Sequence, residues 1–287
     1  MDIKNLLYYE DLIKKTIKED CPTKDVTVST FFQSNSTITA DLISKQDGIF
    51  FGRFIIELFF KLYSKQSTII FNISDGDIVS ANDVICTITC DQNSLLLIER
   101  SMLNIIQRSS GIATLTHTFI KRLNTPKIKI CDTRKTTPGL RLLEKQAVCA
   151  GGGTNHRFSL SDMILIKENH LKVIKSEGNI HQLSKKIKHL KHHQPHLKAE
   201  IEIETLRQLQ SFDLSEFDYI LLDNFDFTIL PTAIEECRRL YPNVEIEISG
   251  NVSLETIHKY RFFDINRISI GSLTHSAKAF DISLLVR

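Results

Sequence analysis

Residues 131–170 read CDTRKTTPGLRLLEKQAVCAGGGTNHRFSLSDMILIKENH, and the rest of the chain is best interpreted outward from them. The stretch carries five basic side chains beside a Thr-Thr-Pro turn signal and three consecutive glycines: Arg134, Lys135, His156, Arg157 and Lys167. Basic side chains bind carboxylates and phosphates through charge-assisted hydrogen bonds, and glycine lets backbone amides approach such groups closely. This combination predicts a site for an anionic ligand.

Two short apolar runs, Lys127–Cys131 and Met163–Ile166, predict β-strands at the two ends of the stretch. Between them, Thr137 followed by Pro138 predicts a helix start, because Thr caps free amides and Pro fits the first helical position. The predicted helix ends at Gly151, since glycine accepts the backbone angles of a helix terminus. The basic side chains therefore follow strands directly. We expect the helix N-terminus and the glycine amides to contribute to the anion site.

The chain on either side of this stretch shows two different patterns. Before about residue 112, helical segments and alternating strands surround an Asp75-Gly76-Asp77 turn, which predicts a mixed α+β unit with an antiparallel sheet. After it, predicted strands end near Cys131, Ile166, Ile203, Leu222, Ile248 and Ile270, and most are followed by a helical stretch. This alternation predicts repeated βα units around a parallel sheet.

After about residue 112, polar side chains lie at or just past the ends of the predicted parallel strands. Within the third strand, Glu200, Glu202 and Glu204 alternate, so one strand face carries carboxylates that need a metal ion or cations to offset their burial. Reactive side chains at the carboxyl ends of successive strands are typical of a barrel, whereas an open sheet collects ligands at one switch point. We therefore favour a barrel with fewer strands than a complete one.

The segments DTRKTTPGLRLLEKQAV, GGGTNHR and LIKENH follow one another in an order that resembles the quinolinate phosphoribosyltransferase family. The resemblance extends from about residue 10 to the end of the chain. It implies an α/β plus α+β fold, with an N-terminal α+β sandwich-like domain and a C-terminal incomplete (β/α) barrel of the type II phosphoribosyltransferases. Two segments depart from the family pattern, Lys24–Thr27 and, slightly, Ile248–Gly250.

Domain boundaries follow from the change of pattern and from the resemblance together. We expect the N-terminal domain to span residues 1–112 and the barrel to span residues 113–274. The resemblance implies that the tail, residues 275–287, packs back on the N-terminal domain.

The resemblance also implies a reaction, in which quinolinate and 5-phosphoribosyl pyrophosphate give nicotinate mononucleotide, pyrophosphate and CO₂ during NAD biosynthesis, with Mg²⁺ as cofactor. It makes Lys135, Glu202 and Asp223 catalytic, with Glu202 and Asp223 holding Mg²⁺ directly or through water. The substrate-binding residues that it implies are Arg100, Thr133, Arg134, Lys135, His156, Arg157, Lys167, Ser249, Gly250, Asn251, Ser269, Gly271 and His275. Taken singly, each of the basic residues could instead be a solvated surface charge.

Arg100 lies on the helical stretch before the barrel, beside Glu99. From the residues alone, an ordinary surface arginine is an equally good interpretation. The resemblance implies that Arg100 reaches the quinolinate pocket of a neighbouring subunit. We therefore expect a homodimer, or a larger assembly that contains one.

Composition narrows the class of protein further. A net charge of +2 is too near neutral to indicate a nucleic-acid or membrane partner, so positive potential must be local. The chain lacks the run of ~20 apolar residues that a membrane span needs, and we expect no secretory signal and a cytoplasmic protein. The six cysteines show no CxxC pair, which is typical of reduced thiols.

Three alternatives remain open from the sequence. The paralogous family linked to molybdenum transport shares a related pattern of basic residues, although the three segments fit the quinolinate enzymes better. Lys167 just past a barrel strand could be the Schiff-base lysine of an aldolase. A non-catalytic phosphate-binding protein would need the cations without the carboxylates.

Overall fold

The structure is a computed structural model, and it describes residues 3–32, 36–64, 66–178 and 180–287. The strands are β1 (Thr37–Ser44), β2 (Gly48–Ile49), β3 (Ser67–Phe71), β4 (Ile78–Val79), β5 (Val84–Asp91), β6 (Lys129–Cys131), β7 (Met163–Ile166), β8 (Lys198–Ile203), β9 (Tyr219–Asp223), β10 (Glu245–Ser249), β11 (Arg267–Ser269) and β12 (Ile282–Val286). The helices are α1 (Ile3–Asp20), α2 (Val26–Phe31), α3 (Arg53–Tyr63), α4 (Gln92–Leu123), α5 (Arg141–Ala150), α6 (Glu168–Ser176), α7 (Leu183–His193), α8 (Leu206–Ser211), α9 (Leu230–Leu240) and α10 (Ser272–His275). Two 3₁₀ helices span Ile180–Gln182 and Ile257–Phe262.

The chain forms two compact units. The first contains the residues up to His117 together with Leu142–Gly152 and Ser276–Arg287, and the second contains Thr118–Arg141 and Gly153–His275. Helix α4 runs from the first unit into the second, and most of α5 belongs to the first. No helix in the described ranges is long and apolar enough to cross a membrane.

The first unit is built on a four-stranded antiparallel sheet in the order β12-β1-β5-β3. Strand β12, from the end of the chain, pairs with β1, and Leu42 lies opposite Leu284. The sheet buries alternate apolar residues such as Leu42 and Ile88, and α3 buries an apolar face that includes Phe59. This alternation is what a sheet with one face on a core requires.

Two local features of the first unit have identifiable causes. Residues from Val26 form helix α2, because the Asp25 carboxylate accepts hydrogen bonds from the amides of Thr27 (2.8 Å) and Val28 (2.9 Å) and so caps the helix. Helix α4 continues through Gly111 without a break. A Cβ on Gly111 would lie 1.9 Å from the Lys278 carbonyl oxygen, so glycine serves close packing there.

The second unit contains a six-stranded parallel sheet in the order β6-β11-β10-β9-β8-β7. Five strands follow one another in chain order, and the first strand, β6, pairs with the last, β11. An open doubly wound sheet would instead reverse direction at an interior switch point. The order is therefore that of a barrel opened between β6 and β7, which confirms the predicted incomplete barrel.

Candidate active site

A cavity of about 610 Å³ opens where the barrel strands end at their carboxyl termini. Apart from Arg100, all of the predicted site residues line it: Thr133, Arg134, Lys135, His156, Arg157, Lys167, Glu202, Asp223, Ser249, Gly250, Asn251, Ser269, Gly271 and His275. Arg100 is exposed on α4, in the first unit. Residues after six separate strands thus converge on one cavity, as the barrel interpretation predicts.

The turn after the first two cations differs from the prediction. Helix α5 begins at Arg141 and not at Pro138, because the Leu140 amide donates to the Thr137 carbonyl oxygen (3.0 Å) and closes a turn. Gly139 follows Pro138 with a φ of +82°, which is typical of a type II turn. The preceding basic residues therefore do not lie at a helix N-terminus.

Lys135 is held by its backbone and by a glycine opposite it. Its amide donates to Thr133 Oγ1 (3.0 Å), and its carbonyl oxygen accepts from the hydroxyl of Thr274 (2.7 Å). A Cβ at Gly271 would lie 2.8 Å from Lys135 Cδ. Gly271 therefore leaves the room that the lysine side chain occupies in the pocket.

The first two glycines of the triple glycine end helix α5. The amides of Gly151 and Gly152 donate to the carbonyl oxygens of Ala147 (3.0 Å) and Cys149 (2.9 Å). The positive φ falls at Gly152 (+89°), and a Cβ at Gly151 would lie 2.3 Å from the Ala113 carbonyl oxygen. The predicted contribution of these two amides to the anion site is thus corrected by their use at the helix end.

Residues 154–157 bridge the opening of the barrel. The amide of Thr154 donates to a carbonyl oxygen of β6 (2.8 Å), and the amide of Asp132 donates to the Thr154 carbonyl oxygen (3.2 Å). The amide of His156 donates to the Asp132 carboxylate (2.8 Å). On the other side, the Arg157 guanidinium donates to the first carbonyl oxygen of β7 (3.0 Å). Backbone hydrogen bonds to β6 and a side-chain hydrogen bond to β7 thus place His156 and Arg157 at the pocket.

The two arginines of the pocket lie close enough for their charges to repel, and at Arg157 the charges of Glu200 and Asp162 offset burial and this repulsion only in part. Burial and the nearby charge of Arg134 both lower the pKa of Arg157. Nε of Arg134 is buried and has no hydrogen-bond partner within the described ranges. Like charges held close together with an unused buried donor favour an anion between them.

Two carboxylates face these cations from β8 and β9. Glu202 pairs with the Lys167 ammonium, and Asp223 accepts a hydrogen bond from the side-chain amide of Asn224 (2.6 Å). Burial and the Glu202 charge raise the pKa of Asp223. A hard cation with oxygen ligands would relieve this repulsion, so the donor set fits Mg²⁺.

The turn after β10 depends on a glycine. Gly250 has a φ of +88°, and a Cβ there would lie 2.1 Å from Asn224 Oδ1. Asn251 donates from its side chain to the same oxygen (3.1 Å). The loops after β9 and β10 are therefore packed together at the pocket wall, next to Ser249.

Below the pocket lies a buried group of charged residues that the sequence reasoning did not identify as a group. His156 Nε2 lies 3.0 Å from a Glu200 oxygen and 3.5 Å from a Glu247 oxygen. Arg267 pairs with both carboxylates, at 3.2 Å from Glu200, and its guanidinium carbon lies 3.6 Å from the centre of the Tyr219 ring. Both carboxylates are fully buried. The sequence signal for this group is the alternation Glu-Ile-Glu in β10, which repeats that of β8 and so indicates a second strand with inward-facing carboxylates.

The ionisation of this group follows from its contacts. Burial alone would lower the pKa of His156, but the two carboxylates raise it to about 9. Burial and the charge of Glu247 raise the pKa of Glu200, whereas His156 and Arg267 outweigh burial and lower the pKa of Glu247. Glu247 is therefore the ionised partner of the cations.

Comparison with known proteins gives consistent matches over nearly the whole chain. The model of the quinolinate phosphoribosyl transferase C-terminal domain matches residues 112–285, and that of the N-terminal domain matches residues 25–110. A Bacillus subtilis (strain 168) protein named "probable nicotinate-nucleotide pyrophosphorylase, carboxylating" is 40% identical, covering 98% of this chain and 94% of that protein.

Two solved structures show the same similarity. The nicotinate-nucleotide pyrophosphorylase from Francisella tularensis superposes with a TM-score of 0.87 at 32% identity, covering 98% of this chain and 96% of that one. The NadC structure from Streptococcus pyogenes gives a TM-score of 0.85 at 35% identity, covering 96% of this chain and 95% of that one.

Proposed function

The chain belongs to the quinolinate phosphoribosyltransferase family, and we propose that its barrel pocket is the site of that family's reaction. The enzyme converts quinolinate and 5-phosphoribosyl pyrophosphate to nicotinate mononucleotide, pyrophosphate and CO₂, in NAD biosynthesis. The observation that carries the site assignment is the convergence of basic residues and of two carboxylates on one cavity.

Arg134 and Arg157 are the proposed partners of the quinolinate carboxylates. The charge of Arg134 lowers the pKa of Arg157, so the two guanidiniums lie close together, and a planar guanidinium binds a carboxylate through two parallel hydrogen bonds. Binding two carboxylates explains discrimination against nicotinate, because the loss of one carboxylate leaves a partly buried charge unpaired.

The phosphate groups are assigned to the wall that the turns after β10 and β11 form. Ser249, Gly250 and Asn251 after β10, and Ser269, Gly271 and His275 around the end of β11, present short polar groups and backbone at the cavity. Phosphate sites in barrels commonly form at the turns after late strands. We assign the ribose 5-phosphate to this wall, with Thr133 and Lys135 beside the pyrophosphate.

Glu202 and Asp223 are the proposed Mg²⁺ ligands, directly or through water. When bound, the ion would neutralise charge on the pyrophosphate. The Lys167 ammonium, paired with Glu202, remains close to both carboxylates.

Positioning and electrostatics account for the proposed mechanism, without a protein nucleophile. Lys135 stabilises the leaving pyrophosphate as the anomeric C–O bond breaks, and Asp223 faces the positive charge that develops on the ribose. Arg134 and Arg157 hold the pyridine so that its nitrogen attacks the anomeric carbon. Loss of the 2-carboxylate as CO₂ then leaves an electron pair on the ring carbon, which takes up a proton.

The assembly is also a proposal: we assign a homodimer, or a larger assembly that contains one, in which Arg100 enters the pocket of the neighbouring subunit. Its exposure on α4 is compatible with that role. Mixed dimers of Arg100→Ala and Lys135→Ala would contain one intact pocket if the residue acts across subunits. Recovery of activity on mixing supports the assignment, and no recovery contradicts it.

The direct test of the function is turnover by the purified protein. We expect nicotinate mononucleotide and CO₂ from quinolinate, 5-phosphoribosyl pyrophosphate and Mg²⁺, and no product when nicotinate replaces quinolinate. Binding without turnover would favour a phosphate-binding protein, and no binding of quinolinate would favour the molybdenum-linked paralogue.

Two further expectations belong to this proposal. The Lys167 side chain is held against the Glu202 carboxylate, whereas a Schiff-base lysine must be free to attack a carbonyl carbon, so borohydride should trap no carbonyl substrate on it. The near-neutral net charge and the small-molecule substrates support a cytoplasmic enzyme without nucleic-acid or membrane partners.

A further inference from the structure

His156 lines the pocket, yet both nitrogens of its ring contact groups of the protein. Nε2 faces the carboxylates of Glu200 and Glu247, and Nδ1 accepts a hydrogen bond from the amide of Arg157 (2.8 Å). Its side chain is 6% exposed. A direct hydrogen bond from this ring to a substrate carboxylate would require breaking one of these contacts.

The contacts on the Nε2 side fix the plane of the ring. Glu200 comes from β8 and Glu247 from β10, and Arg267 on β11 pairs with both carboxylates and packs on the Tyr219 ring of β9. Four neighbouring strands therefore contribute one side chain each, and the two carboxylates are fully buried. Such a group has little freedom, because moving any member leaves a buried charge unpaired.

The contact on the Nδ1 side determines which ring nitrogen carries the proton. An amide N–H needs a lone pair on Nδ1, and an imidazolium offers none. The two carboxylates favour the imidazolium, whereas the Arg157 amide favours a ring protonated on Nε2 alone. The two influences oppose each other. The amide contact is made in this structure, and it favours a ring whose Nδ1 is unprotonated.

Within the described ranges, five charged groups contact or adjoin His156. Glu200, Glu247 and Arg267 lie below the ring, the Asp132 carboxylate accepts a hydrogen bond from the His156 amide, and Arg157 follows it in the chain. Glu247 and Arg157 also line the pocket, and the Arg157 guanidinium donates to the first carbonyl oxygen of β7.

We propose that His156 is a positioning residue that connects the buried Glu247–Arg267 pair to the backbone of Arg157, and that it serves quinolinate through Arg157 instead of binding it. The inference rests on the proposed assignment of this pocket to quinolinate. It adds Glu247 and Arg267 to the residues on which substrate binding depends. The conservative replacement of His156 is then glutamine, which can donate to a carboxylate and accept from an amide without carrying charge.

The test measures quinolinate binding by calorimetry in single and double variants of the full-length protein. His156→Leu should weaken binding about 10-fold to 100-fold, His156→Gln should recover most of the loss, and Glu247→Gln should weaken binding about 10-fold. In an Arg157→Ala background, His156→Leu should cause no further loss, because the residue through which it acts is gone. The KM for 5-phosphoribosyl pyrophosphate should stay unchanged in Glu247→Gln.

Matched controls separate this role from general damage to the barrel. Glu245→Gln is the same change two residues earlier on β10 and should leave binding unchanged. An additive loss in the His156→Leu, Arg157→Ala double variant, or no rescue by glutamine, would overturn the inference while leaving the function intact. Failure of the wild type to bind quinolinate would overturn the site assignment and the inference together.

A measurement on the unmodified protein avoids any question of folding. In ¹⁵N-histidine spectra, we expect the Nδ1 signal of His156 to be that of an unprotonated nitrogen, both free and with quinolinate bound. Protonation of Nδ1 when quinolinate binds would show a direct contact and contradict the proposal.

Discussion

The two ends of the barrel sheet use charged side chains differently. At the carboxyl ends, Arg134 and Arg157 crowd together around a cavity, and a buried donor is left unused. At the amino ends, Asp218 accepts from the ammonium groups of Lys191 (2.7 Å) and Lys198 (2.8 Å), and also from the backbone. The cavity end thus holds two neighbouring guanidiniums with an unused buried donor in the described ranges, whereas the carboxylate at the other end has three hydrogen-bond donors.

This difference separates binding from stability. A charge that lacks a partner in the free protein contributes to binding when a ligand supplies one, but it adds nothing to folding. A charge that the chain already pairs adds to folding and is unavailable to a ligand. Substitutions at the carboxyl ends should therefore lower activity with little effect on stability, and substitutions at the amino ends should lower stability with little effect on activity.

The largest effect is expected at the carboxyl ends. Lys135→Ala and Arg157→Ala should each lower kcat/KM about a thousandfold or more while the melting temperature stays close to that of the wild type, because each removes a charge directed at a ligand. Steady-state kinetics and thermal unfolding measure the two quantities. Lys186→Ala, which removes an exposed charge on α7, is the control. Wild-type rates in either pocket variant would contradict the assignment.

A backbone change in the pocket should lower both the stability and the activity. Gly250→Ala places a methyl group against Asn224 at a positive φ, so we expect about 2 kcal/mol lower stability and about a hundredfold loss of kcat/KM. Gly178→Ala is the matched control: its φ is +71° and no atom lies within 4 Å of the added Cβ. Equal kinetic losses in the two variants would show that the packing against Asn224 is irrelevant.

At the amino ends, Arg238→Ala should lower stability and leave kinetics unchanged. The guanidinium donates to the Asp264 carboxylate (2.7 Å), to the Val244 carbonyl oxygen (2.7 Å) and to the side chain of Asn266 (3.0 Å). We expect about 2 kcal/mol lower free energy of unfolding in urea. Arg239→Ala, on the same helix but exposed, should leave the midpoint unchanged. A loss of turnover in folded Arg238→Ala would contradict the proposed difference between the two ends of the sheet.

The smallest effect concerns Asp218 and depends on pH. Burial alone would raise its pKa, but Lys191, Lys198 and the Ala199 amide lower it overall. The folded-state pKa therefore lies below the unfolded value of about 3.9, so the contribution to stability is present at neutral pH and is lost as the pH falls through the folded-state pKa.

Asp218→Asn should accordingly cost about 1 kcal/mol at pH 7 and almost nothing in strong acid. Urea unfolding of both proteins from pH 7 downwards measures the difference. A difference that stayed constant into strong acid would mean that the charge of Asp218 is not its source.

Prediction from the sequence was more accurate for which residues come together than for the local backbone. The family resemblance named residues that the structure brings to one cavity, and this agrees with the rule that strand ends in a parallel barrel face one cavity, which needs only approximate strand positions. The turn at Thr137–Leu140 was missed because Thr-Pro starts both helices and turns, and only the following Gly139 distinguishes them. The helix end at Gly151 was predicted correctly, but the positive φ falls at Gly152, and the requirement for glycine at 151 comes from the Ala113 carbonyl oxygen, which is distant in sequence.

The buried charged group below the pocket shows a second limit of prediction from a single sequence. Glu247 and Arg267 lie on different strands, and their pairing depends on the register of β10 with β11, where they lie opposite each other. A single sequence gives the alternation of each strand but not the register between strands. The carboxylates of β8 were identified as requiring partners, yet the identity of the partners could only come from the fold.

The segment that bridges β6 and β7 also bears on solubility. An open sheet exposes two edges whose unpaired backbone groups can pair with another chain and start aggregation. Residues 154–157 cover the edge of β6 with backbone hydrogen bonds, and Arg157 takes up a carbonyl oxygen on β7. The segment that presents basic groups to the substrate therefore also protects the sheet edges, so substitutions there carry a risk of aggregation as well as of lost activity.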